Sequence, residues 1–113
     1  MFNHDILVVG NCVRDIFILS RPKLLKQRDR KNQTRKFLAF PYGEKIGVDQ
    51  IHHDLGGEAC NAAVAISKMR TKVALATVVG DDIYSREVLG ELKKRKIGLR
   101  FIVREKEKNL GIS

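Results

Sequence analysis

Two polar side chains stand out because of what precedes them. Asp15 follows a short apolar run, Asp5-Ile6-Leu7-Val8-Val9, and the Gly10 that closes it. Asn61 follows the pair Gly56-Gly57 within HHDLGGEACNAAVAISKM. A carboxylate accepts hydrogen bonds, and a side-chain amide both donates and accepts. One of each suits a hydroxyl-rich ligand. Consecutive glycines weaken regular structure. They are tolerable where the backbone turns sharply or where a ligand must come close. A helix beginning just after them would also offer the unpaired N–H groups of its first turn. The residues after Gly10, Asn11-Cys12-Val13-Arg14-Asp15, are neither the Gly-x-Gly-x-x-Gly of a dinucleotide site nor the Gly-Lys-Ser/Thr of a phosphate loop. On spacing alone, Asp15 could equally cap a turn. The glycine pair could equally be a plain loop-to-helix junction with Asn61 exposed.

Other reactive side chains carry less. His52 and His53 are adjacent, so in a strand they would point to opposite faces and make no metal pair. No metal site is expected. Cys12 and Cys60 have no Cys-x-x-Cys spacing and sit among apolar or small residues. That argues against zinc or a disulfide framework and suits a reducing cytoplasm. Cys60 reads as a small buried residue rather than a nucleophile. Phe40 and Tyr42 read as packing residues.

The elements that must position these groups alternate. Ile6 to Val9 is a continuous apolar run, as in a strand buried on both faces of a parallel sheet. Ile16 to Leu19 is a second extended piece, Phe37 to Phe40 a third, ended by Pro41, and Val48 to Leu55 a fourth. From Glu58 to Met69 the period becomes helical, with Ala59, Ala62, Ala63, Ile66 and Met69 on one face. Val73 to Val79 is another buried strand. Asp81-Asp82 can cap a helix running to about Arg95, with Tyr84, Val88, Leu89 and Leu92 inward. Lys93 to Lys96 lie at its end, where the helix dipole favours cations. Arg100 to Val103 is a further strand, and another begins at Asn109 and runs to Ser113. This order belongs to the α/β class.

The chain of 113 residues is one domain at most. No apolar run approaches the roughly 20 residues that span a bilayer, and MFNHDILVVG has no basic segment ahead of its short apolar stretch. A cytoplasmic protein without membrane contact is expected. The net charge is +9, but eight basic residues and one acid lie between Arg21 and Lys36, a net of +7 in that segment alone. It holds no aromatic residue on which bases could stack. A solvated, mobile loop is preferred over a nucleic-acid-binding tail.

DILVVGNCVRDIFI, GGEACNAAVAISKMRTKVALATVVGDDIYSREVLGELKKRKI and NLGIS together resemble the N-terminal part of the ribokinase-like (PfkB) carbohydrate kinase family. The most specific stretch is Gly56 to Asp82. The resemblance implies a parallel-sheet α/β sandwich with a small β lid, and phosphoryl transfer from ATP with Mg²⁺ to a hydroxyl of a sugar or nucleoside. It implies that Asp15 accepts hydrogen bonds from substrate hydroxyls and that Asn61 binds another. Gly56 and Gly57 would lie under the substrate and hinge the lid. The lid would be formed by about 16–20 and 37–55, with 21–36 a basic insertion, and the lid leaves room for a homodimer. The family's Gly-Ala-Gly-Asp motif, with its catalytic base and anion hole, is absent here, as are the ATP-binding elements. The resemblance therefore implies a truncated, substrate-binding portion with no catalytic residue of its own and no turnover alone. Glu58 and Ala59 replace the Lys and the Gly after it in the family's Gly-Gly-Lys-Gly-x-Asn, and Val13 stands where ribose-binding members often carry Asn, which argues against assuming ribose. Two rival classes remain: a non-catalytic sugar- or nucleoside-binding or regulatory module on the same floor, and a basic nucleic-acid-associated domain.

Overall fold

The computed structural model describes residues 3–112. Met1 and Phe2 of the opening segment, and Ser113 of the last expected strand, lie outside the described residues. The chain divides into two compact units, one made of the residues up to Ile16 together with those from His53 onward, the other of Phe17–His52.

The first unit is built on three parallel strands in the order β1-β6-β7: β1 is Ile6–Val9, β6 Val73–Val79 and β7 Ile102–Arg104. Parallel neighbours need crossover connections. The helices α1, Glu58–Lys68, and α2, Ile83–Lys94, precede and follow β6 and supply them. Successive residues of β6 face opposite ways. Val73, Leu75 and Val79 join Ala59, Cys60 and Ala63 of α1 and Val88 and Leu92 of α2 in one core. The small side chains of α1 give this core its close helix-to-sheet approach. The other face of the sheet is different. Leu7 is opposite Ala74, Val9 opposite Ala76 and Val78 opposite Val103, and Leu7, Val9, Val78 and Val103 are all exposed.

The strand expected at 73–79 appears with those bounds, and both helices end one residue earlier than expected. The strand expected at Arg100 to Val103 is Ile102–Arg104, and the final one is β8, Gly111–Ile112. β8 pairs in parallel with β2, Val13–Ser20, placing Val13 opposite Gly111 and Arg14 opposite Ile112. Asp15 therefore lies inside a strand rather than in a turn after β1.

The second unit corrects the sequence reading. The segment from Arg21 to Lys36, expected as a mobile loop, contains a strand and most of a hairpin. β3, Lys23–Arg28, pairs antiparallel with β4, Thr34–Ala39. Two apolar cross-strand pairs, Leu24 with Leu38 and Leu25 with Phe37, sit beyond the basic end. The turn is closed by Asp29, whose carboxylate accepts the N–H groups of Lys31 and Gln33, each at 2.9 Å, and Asn32 takes a left-handed φ of 59°. Charged residues hide the alternation that would have marked β3. Of the lid pieces expected at 16–20 and 37–55, residues 16–20, 37–39 and 48–55 are strand, in β2, β4 and β5, Val48–Gly56, and 40–47 connect the last two.

Candidate functional site

β5 ends at Gly56, and α1 begins after Gly57 with no side chain of its own to cap it. The missing acceptor comes from far back in the chain. Asn11, between β1 and β2, accepts the Glu58 N–H on its side-chain oxygen at 3.0 Å and the Cys60 N–H on its main-chain carbonyl at 3.3 Å. Asn11 thus fills the role that Ser, Asp or Asn plays when it stands directly at a helix start. These two first-turn donors, which the sequence offered to a ligand, are satisfied within the chain.

The glycine pair is explained the same way. A Cβ on Gly56 would overlap the Asp15 carboxylate. A Cβ on Gly57 would come 2.7 Å from the Asn11 carbonyl oxygen, and Gly57 has a φ of 91° that other residues rarely adopt. At Gly57 the obstacle is backbone and the φ is left-handed, so glycine is required there; at Gly56 the obstacle is the Asp15 side chain, which a Cβ would displace. Gly56 and Asp15 are in direct proximity, with Asp15 half-buried. Asn61 is exposed on α1, and its own N–H donates to the Gly57 carbonyl at 2.9 Å. Asp15, Gly56 and Gly57 are therefore gathered at one junction, and Asn61 follows them by one helical turn.

Beneath the junction lie two buried free thiols, Cys12 and Cys60. The Cys12 S–H donates to the Cys60 sulfur, which lowers the Cys60 pKa; the same bond, with burial, raises that of Cys12. Among the described residues no group of three or more His, Cys, Asp or Glu side chains could hold a metal ion.

Neighbouring side chains on β2 point to opposite faces, so Arg14 points away from Asp15. Its guanidinium is buried, pairs with Glu87 of α2 and lies 5.5 Å from the centre of the Tyr84 ring, while its Nε has no hydrogen-bond partner. Tyr84 stacks with His53 at 6.5 Å between ring centres. Arg14, His53 and Glu87 border a cavity of about 400 Å³ that Asp54, Leu55, Glu91 and Lys94 help to line. None of the four expected site residues borders it. Arg14 was legible only as a lone charge in an apolar strand, and Asn11 only as an Asn near a strand end. Neither signal says what the side chain reaches.

At the far end of β6, Asp82 caps α2 as its sequence position suggests. Its carboxylate accepts the Ser85 N–H at 3.1 Å, the Ser85 hydroxyl and the Leu110 N–H at 3.2 Å. These bonds, those from Ser85 first, lower its pKa from the ordinary 3.8.

Residues 23–113 match the sequence profile of the pfkB family carbohydrate kinases. A deoxyribokinase of Salmonella typhi is 30% identical over 98 residues, covering 87% of this chain and 27% of that protein. A 5-dehydro-2-deoxygluconokinase of Mesomycoplasma hyopneumoniae is 34% identical over 59 residues, covering 52% of this chain and 18% of that protein. The chain thus spans about a fifth to a quarter of the length of these relatives. Among solved structures, a ribokinase of Cryptococcus neoformans in complex with ADP matches with a TM-score of 0.66 at 22% identity, over 94% of this chain and 28% of that one. A nucleoside kinase of Methanocaldococcus jannaschii matches with 0.68 at 21%, over 92% of this chain and 29% of that one. At these identities the structural likeness establishes the fold.

Proposed function

Because the chain belongs to the pfkB family of carbohydrate kinases, we propose that it is the substrate-binding N-terminal portion of a cytoplasmic kinase that transfers the γ-phosphoryl group of ATP to a hydroxyl of a sugar or nucleoside. The observation that carries the reading is the junction itself: a half-buried carboxylate, Asp15, lying against Gly56, next to Gly57 with its left-handed φ of 91°. In this reading Asp15 accepts hydrogen bonds from substrate hydroxyls, and Asn61 exchanges one more. Gly56 and Gly57 keep Asp15 and the start of α1 in register, forming the floor on which the substrate rests. Residues 16–20 and 37–55 form the lid. Its closure excludes the water that would otherwise compete for the phosphoryl group.

In this reading the reaction uses ATP with Mg²⁺, as the family resemblance implies. The donor side of the reaction belongs to the part of the family fold that this chain does not span. The exposed apolar face of the β1-β6-β7 sheet supports that view, since parallel sheets are ordinarily covered on both faces.

The test is thermal stabilisation of the 113-residue chain by a panel of pentoses, hexoses, their phosphates and nucleosides. At least one class should raise the melting temperature without ATP, and Asp15→Asn should weaken its binding about 10- to 100-fold, the scale of a charged hydrogen bond. Silence across the panel, or an Asp15→Asn variant that binds as well as the parent, overturns the assignment. ATP-dependent phosphorylation by the 113-residue chain would overturn its inactivity alone.

A further inference from the structure

The β3–β4 hairpin sorts its residues along its length. The half nearer its open end carries the apolar pairs Leu24–Leu38 and Leu25–Phe37. The half nearer the turn carries Lys26 opposite Lys36, Gln27 opposite Arg35 and Arg28 opposite Thr34, followed by Arg30 and Lys31 in the turn. Like charges directly opposite each other destabilise an antiparallel pair, so the Lys26–Lys36 pairing does not help the hairpin to form. Asp29, the segment's one acid, accepts the turn N–H groups and pairs with Arg35 at 3.3 Å, which leaves a net charge of +7 between Arg21 and Lys36. Among the described residues no ion pair includes Lys26, Arg28, Arg30, Lys31 or Lys36, and all five are exposed.

We propose that the turn-proximal half of this hairpin is a docking surface for the phosphate backbone of duplex DNA. The inference uses no residue of the Asp15–Asn61 junction, although β4, Thr34–Ala39, continues into the segment read as the lid. The major groove of B-form DNA, about 12 Å wide, admits a two-stranded β-ribbon. The deep, narrow major groove of A-form RNA does not admit side chains. With no aromatic residue in the basic half, the hairpin lacks the stacking platform that single strands require. Its contacts are to phosphates and carry no base sequence. A membrane surface fits less well. There, apolar and basic residues should lie on opposite faces of the element, whereas here they lie at opposite ends. The Lys26–Lys36 repulsion is relieved when a phosphate lies between them. A structureless basic segment would have no ribbon to lay in a groove, but this one is an ordered hairpin.

The experiment is fluorescence anisotropy of the 113-residue chain with a labelled 20-base-pair DNA duplex between 50 and 200 mM NaCl. Binding should be independent of base sequence and fall with salt, with a log–log slope of about −4 for four to five neutralised phosphates. Lys26→Ala with Lys36→Ala should flatten that slope by about 2, one unit for each phosphate no longer neutralised. It should leave the melting temperature equal or higher, and sugar-induced stabilisation unchanged. Arg30→Ala with Lys31→Ala in the turn provides a second, separate variant with the same expected change of slope. No binding at 50 mM salt, or slopes that neither variant alters, overturns the proposal. So does equal or tighter binding to a 20-nucleotide single strand, or to phosphatidylserine vesicles.

Discussion

The two units of the chain are held together by different forces. Among the described residues, every buried one lies in the first unit, from Cys12 and Leu55 through Leu75, Val88 and Leu92 to Leu110, and none lies within Phe17–His52. The first unit is stabilised by apolar burial, at roughly 25 cal/mol per Å² removed from water. The second depends on ladder hydrogen bonds and cross-strand pairs such as Leu25–Phe37, each contributing about 0.2–1 kcal/mol. A two-stranded hairpin is marginal by itself. The contrast teaches where adjustment is cheap: regions with few buried contacts open first. The segment proposed to close over a substrate and to carry DNA is the one with least to lose by moving.

Substitutions can break or sharpen that contrast. The largest effect is expected from Leu75→Ala, which removes a fully buried side chain at the centre of the core. Urea unfolding should show a loss of about 2–5 kcal/mol. Next is Gly56→Ala, where the new methyl must push the Asp15 carboxylate aside. It should cost about 1–3 kcal/mol, the usual range for overpacking, and weaken ligand-induced stabilisation along with it. A stable variant that still binds would separate Asp15 from the floor.

Glu87→Gln should be felt nearly as strongly. It leaves the buried Arg14 guanidinium without its carboxylate, for about 1–3 kcal/mol in the same measurement. Asp82→Ala should cost about 1 kcal/mol as a lost helix cap. It should also change the acid limb of stability. The Asp82 pKa is lowered on folding, so its contribution is fully present above the unfolded value near 3.8 and is lost as pH falls through the folded value. Melts between pH 5 and pH 2 should fall less steeply in the variant by that amount. The smallest effect is expected from Leu25→Ala in the hairpin, within about 0.5 kcal/mol, as for exposed sites generally. A loss comparable to that of Leu75→Ala would end the distinction between the units.

Much of the first unit was legible because its signals are local. The apolar run Val73–Val79 is a strand whatever surrounds it. Asp82 caps α2 through an N–H only three residues on. The helical period of α1 needs no partner to be seen. The hairpin was less legible, because Lys23–Arg28 has no alternation and becomes a strand only when Thr34–Ala39 pairs with it. At the glycine bend the structure adds a neighbour that the sequence did not show. Gly56 and Gly57 were expected to make room for a ligand, and the room is taken by Asp15 and Asn11. Asn11 carries no local signal, because the donor it satisfies lies 47 residues further along.

The amino-acid sequence alone determined the α/β order, the two helices, the family resemblance and the location of charge. Each depends on residue type and on spacing over a few positions. Tertiary structure alone decided that Asn11 closes the start of α1, that Arg14 and Asp15 serve opposite faces of one strand, and that a basic segment becomes a ribbon. Each of these is a pairing between groups distant along the chain, and such a pairing exists only once the backbone has brought them within hydrogen-bonding or van der Waals reach.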